Sequence, residues 1–181
     1  MMRKPSILSG LGLAVLVAVG LTTASCSDDS NPVAPANAPL VFTAELAAAS
    51  EVPAVTNAEQ TAHGAVQITV TPTRDSSGNI TAATAKFEIQ LAGLPTTTTF
   101  VGGHIHPAPA GTTGPVIVNT SLSSGTPPVF LNGAATWTFD NINVPVATLQ
   151  GMIANPGSYY FNVHTFSNPG GVARGQLRRT L

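Results

Sequence analysis

The chain has 181 residues, 43% of them hydrophobic and 8% charged, with a formal net charge of -1. That length suits one domain, and a charged fraction far below the ~25% usual in soluble domains excludes charge-driven disorder over most of it. The near balance of charge leaves no broad basic field for nucleic acid, and the one cysteine excludes an internal disulfide and a Cys-rich zinc module.

Residues 1–26 carry Arg3 and Lys4, then an apolar run from Ile7 to Leu21, then Thr23-Ala24-Ser25-Cys26. A basic start, a short apolar stretch and small residues form a secretory signal, and the run is short for a membrane span. Cys26 stands where the signal would be cut. This resembles the bacterial lipobox, in which the cysteine is lipidated and becomes the new N-terminus. Thr23 stands where that pattern prefers Leu, and the alternative is plain secretion after Ala24 or Ser25. Residues 1–25 are therefore expected to be a lipoprotein signal peptide. Residues 26–39, SDDSNPVAPANAP after the cysteine, are expected to be a flexible tether. Acyl chains on Cys26 would hold the protein on the periplasmic or cell-surface side of a membrane without spanning it.

The remainder, residues 40–181, is expected to be all-β. Leu40–Leu46 reads as a first strand. Gly64–Thr71 sets Val66, Ile68 and Val70 against Gln67, Thr69 and Thr71, a period of two. A turn at Asp75–Asn79 leads into Ile80–Leu91, with Phe87, Ile89 and Leu91 on one face. Further strands follow over Thr98–His106, Pro115–Asn119, Val129–Phe139, Tyr159–Thr165 and Val172–Thr180. Asn132-Gly133 makes Val129–Phe139 either a bulged strand or a hairpin. One helix is predicted over Pro145–Ile153, capped by Asn143, with Val146, Leu149 and Ile153 at helical spacing and Asn155-Pro156-Gly157 as its stop. The sum is a Greek-key β-sandwich of about eight strands. The lone Trp137 is assigned to its core.

Several fragments together resemble the CHRD domain, a module named after chordin and also found in bacterial exported proteins. They are Glu51-Val52-Pro53, Gly103-His104-Ile105-His106, Gly114-Pro115-Val116, Tyr160-Phe161-Asn162-Val163-His164-Thr165 and Pro169–Gln176. The resemblance implies an all-β domain and an extracellular or envelope location, and it supplies no established activity. A weaker similarity joins His104, His106, His164 and Arg174 to copper/zinc superoxide dismutases, which have a His-x-His strand, a later Val-His strand and a C-terminal arginine. This chain lacks that family's bridging histidine, zinc-loop set and disulfide, so the similarity carries over at most a mononuclear copper site.

His104 and His106 share one strand face, and His164 shares its face with Asn162 and Tyr160. If the two strands are neighbours, three imidazoles converge, a donor set that suits Cu, Zn, Ni and Fe. Copper heads the divalent order, whereas calcium and a blue-copper centre lack their ligands here. The other reading keeps the three histidines in a polar network with Asn162 and Thr165. His63 is expected on a surface loop, a fourth ligand being the alternative. Arg174 is expected either to steer a small anion toward the metal or to hold backbone carbonyls or Glu51. No catalytic triad, phosphate loop or acid pair is legible. Two functions follow. One is a lipid-anchored, non-catalytic module that binds an envelope or extracellular partner through loops Pro107–Gly114 and Ser121–Pro128. The other is a copper-dependent oxidoreductase.

Overall fold

The computed structural model describes residues 37–131 and 134–180. The segment 1–25 expected to be a signal peptide, Cys26 and most of the expected tether lie outside the described residues. No described helix is long and apolar enough to cross a membrane.

Among the described residues ten strands form, two of them only two residues long: β1 (Leu40–Ala47), β2 (His63–Arg74), β3 (Ile80–Ala92), β4 (Phe100–Pro107), β5 (Val118–Asn119), β6 (Val129–Leu131), β7 (Ala134–Asn143), β8 (Tyr159–Thr165), β9 (Ala173–Gln176) and β10 (Arg178–Arg179). All their pairings are antiparallel, in the order β5-β4-β8-β9-β1-β2-β3-β7-β6, with β10 also on β1. The path is formally one sheet. Its two halves, however, meet through a single register pair, Ala47 opposite Arg174. The connections β3→β4, β5→β6 and β7→β8 each cross from one half to the other, which gives the expected sandwich. The last stretch stitches the halves together, because β9 pairs β8 and β10 pairs β1.

The alternation read in the sequence sets the core. Phe42, Val66, Ile68, Val70, Phe87, Ile89 and Leu91 point inward from β1–β3 and meet Ile105, Phe161 and Val163 from β4 and β8. The Phe87 and Phe161 rings lie 5.9 Å apart across the sandwich, and Phe100 meets the Trp137 ring edge-on at 4.4 Å. Such contacts add to the area that each ring removes from water.

Two local expectations are corrected and one alternative is resolved. Asn143 ends β7 and does not cap the helix, which runs over Val146–Ala154 (α1) with Pro145 at its cap and no side-chain capping bond. A proline at the helix start supplies a preset φ and needs no donor, so the helix begins without a polar cap. Within α1 the buried residues are Leu149 and Met152, whereas Val146 and Ile153 are only partly covered. The Val129–Phe139 stretch is a hairpin of β6 and β7, with Leu131 opposite Ala134.

Candidate metal centre

Strands β4 and β8 place Gly102 opposite His164, His104 opposite Asn162 and His106 opposite Tyr160. Residues two apart share a face, so these six positions lie together on the side away from Ile105, Phe161 and Val163. Gly102 makes the room. A Cβ there would stand 2.8 Å from His104 Cε1 and 3.5 Å from His164 Cδ2, so the His104 ring leans over the glycine toward His164. The ring centroids are 4.7 Å apart for His104–His164, 5.7 Å for His104–His106 and 6.2 Å for His106–His164. One nitrogen from each ring lies within 4.8 Å of the other two. Metal–nitrogen bonds of 2.0–2.1 Å would bring such nitrogens to about 3.3 Å apart, so metal binding calls for a pair of nitrogens to close by up to about 1.5 Å.

Loops roof this face and fix the imidazoles. His106 Nδ1 donates to the Gly114 carbonyl and His164 Nδ1 to the Pro169 carbonyl, each at 2.9 Å. A carbonyl only accepts, so both protons sit on Nδ1 and each Nε2 keeps its lone pair. Burial holds all three imidazoles below their ordinary range, and His104 falls to about 4, with the neighbouring histidines adding to the effect. The rings are therefore neutral at pH 7. His104 Nδ1 and His106 Nε2 are buried and have no hydrogen-bond partner. Buried polar atoms are nearly always paired, so two orphans in one cluster mark an unfilled demand. Carbonyl-anchored imidazoles that turn their other nitrogens to a common point are the usual outer support of a metal site.

The surrounding residues complete the frame. Tyr160 stacks on His106 at 4.6 Å, with the rings 3° from parallel. The Arg174 guanidinium covers the Tyr160 ring, 3.5 Å from its centroid. Arg174 is 1% exposed and donates to the carbonyls of Thr112 and Pro109 and to Gln176 Oε1. These bonds put it in the carbonyl-holding role. Glu51 feels the guanidinium as a nearby positive charge. Burial pushes the Glu51 carboxyl up to about 7, against hydrogen bonding from Asn162 and the charge of Arg174. Gly171, at φ +133°, lies directly against that carboxyl, where any Cβ would collide. Asn162 Oδ1 lies 3.0 Å from His164 Nε2.

His63 is the exposed first residue of β2, with Nδ1 2.9 Å from the Thr61 carbonyl oxygen, and stands apart from the cluster. Glu59 went unread in the sequence. It is buried and accepts from Thr98, Thr165 and Asn168, which ties down the loop that presents Pro169 to His164. A cleft of about 400 Å³ lined by Glu45, Glu51, Arg174, Gln176 and Arg178 opens beside Glu51, and the histidines do not line it.

The CHRD domain model matches residues 42–177. The chain belongs to the CHRD domain family. The matched segment takes in all three histidines together with Glu51, Asn162 and Arg174, so the site lies inside the part that defines the CHRD domain. No curated protein and no solved structure matches the chain. Membership supports a binding or structural module in general terms.

Proposed function

We propose that this CHRD protein is an exported, lipid-anchored binding module of the cell envelope, and that its ligand site is a mononuclear three-histidine centre for a divalent transition metal. The signal-like N-terminus and Cys26 support the address. One observation carries the site: His104 Nδ1 and His106 Nε2 are buried without partners beside His164. Neutral imidazoles bind Zn, Cu, Ni and Fe, and three of them leave a position for water or another ligand. A copper oxidoreductase is the special case in which that ligand turns over. With Arg174 committed to carbonyls, its guanidinium brings little help to an anion there.

The test uses full-length protein. Membrane fractionation should find the wild type in membranes and Cys26→Ser in the soluble fraction. Metal analysis and calorimetry with Zn²⁺ and Cu²⁺ should give one ion per chain, and the ion should be lost in the His104→Ala/His164→Ala variant. Sub-stoichiometric metal that this double substitution leaves unchanged refutes the centre. Cys26→Ser remaining in membranes refutes the anchor.

A further inference from the structure

The cleft beside Glu51 gathers charged groups that the fold leaves unpaired. It encloses about 400 Å³, within the range of small-molecule sites. Glu51 forms part of its wall. This residue is 7% exposed, and its Oε1 is buried without a hydrogen-bond partner. Ionised or protonated, a carboxyl oxygen so placed has an unmet hydrogen bond, and folded proteins leave few such atoms unmet. Glu45 and Arg178 also line the cleft, and both are exposed. Arg178 lies opposite Thr43 in the β1–β10 pairing, and Glu45 is two residues further along β1. The two side chains therefore leave one face as diagonal neighbours, about 7–8 Å apart at their bases. Neither takes part in an ion pair among the described residues. The other large polar groups of the lining are occupied. Arg174 donates to the Thr112 and Pro109 carbonyls, and Gln176 Nε2 to those of Ala108 and Gly157. Glu51 borders a second hollow of about 290 Å³ as well, but no other charged residue lines that one.

Two carboxyls and one guanidinium thus meet in one cleft without partners. A simple anion would face two acids for one uncommitted cation. A divalent ion would lack a third side-chain ligand, because among the described residues only the histidines form such a trio. A ligand that carries both signs answers all three groups. We propose that this cleft binds a small zwitterion of the di- or tripeptide class, with its ammonium between Glu45 and Glu51 and its carboxylate on Arg178. An ammonium has three donors, enough for both carboxyls, and a guanidinium takes a carboxylate through two parallel bonds. The histidines do not line the cleft, so this site is independent of the metal centre.

The test is a calorimetric titration of full-length protein with triglycine, in EDTA so that the peptide cannot act by chelating a metal. One peptide should bind per chain. N-acetyl-triglycine and triglycinamide each lack one charge, and each should bind about tenfold more weakly or worse. Glu45→Gln and Arg178→Gln should each lower triglycine affinity about threefold or more. Ala49 lines the cleft and is exposed, so Ala49→Trp should fill the space without disturbing the core. That variant should lose triglycine binding and keep the wild-type thermal midpoint. Glu51→Gln should also weaken binding, and should it fail to fold, Ala49→Trp and the capped peptides decide alone. No saturable uptake of triglycine, equal affinity for the capped peptides, or wild-type binding by Ala49→Trp overturns the proposal. Zn²⁺ uptake, measured separately, bears on the histidine centre alone, so either site can fail without the other.

Discussion

Strands β1, β2, β3 and β7 bury apolar side chains alone among the described residues, Phe42, Ile68, Phe87, Ile89 and Trp137 among them. Strands β4, β8 and β9 bury His106, Asn162, His164, Thr165 and Arg174, and the loops packed on them add Glu51, Glu59 and Thr120. The first half gains stability from area removed from water. The second must satisfy each polar group that it hides, because an unpaired one costs on the order of 1–3 kcal/mol. His106, His164 and Arg174 are satisfied through carbonyls of the loops at 107–114 and 165–171, Thr165 donates to Glu59, and Thr120 donates to the Gly103 carbonyl. The orphans that remain gather at the histidines and at Glu51. A fold that breaks its own packing rules in one place does so where function sits.

The sharpest way to break the contrast is to injure each half equally. Phe87→Ala and Arg174→Ala are each expected to cost about 3–5 kcal/mol in urea unfolding, the first through a cavity and the second through carbonyls of Pro109 and Thr112 left without donors. Metal affinity should follow only the second, because Arg174 braces the Tyr160 ring that backs His106. Equal losses of affinity would erase the distinction.

A smaller effect comes from pH in metal-free protein. Folded imidazoles held below 6.5, with His104 at about 4, take up protons later than unfolded ones. Stability should therefore fall as pH drops from about 6.5 toward 4. Glu51 works in reverse. Its folded carboxyl, at about 7, protonates before the unfolded one near 4.5, so its contribution is lost as pH rises through that interval. His104→Phe should flatten the acid limb, and Glu51→Gln should remove the decline toward neutral pH. Unfolding curves between pH 4 and 8 check both, and unaltered slopes would contradict the burial of these groups. The smallest effect belongs to the outer surface of the apolar half. Lys86 and Glu88 pair at 2.8 Å with both side chains partly exposed. Lys86→Ala should leave stability essentially unchanged in the same assay.

The contrast also governs what could be read in advance. Alternation in β2 and β3 named Val66, Ile68, Phe87 and Ile89 as core, because half-buried strands print their period in the chain. The shared face of His104 and His106, and of His164 with Asn162, followed from the same period. Their meeting required knowing that β8 lies beside β4, and no local pattern encodes that pairing. The anchors of the imidazoles were invisible for another reason. Gly114 and Pro169 act through backbone carbonyls, which every residue type possesses. Glu59 resembled a loop acid, and only its three donors reveal it as a buried tie. The Asn143 cap failed because Asn is a common cap in general, whereas here the strand ran on to claim it.

The earliest strand borders the last two: β1 pairs with β9 at Ala47–Arg174 and with β10 at Phe42–Arg179. Partners so distant along the polypeptide raise the contact order, and such topologies form in milliseconds to seconds rather than microseconds. During synthesis β1 must wait for nearly the whole chain before its far edge is covered. Arg174, which braces the histidine wall, arrives in that same final segment. A ribosome-bound chain thus lacks both the closing edge of β1 and the brace on the Tyr160 ring until that segment emerges.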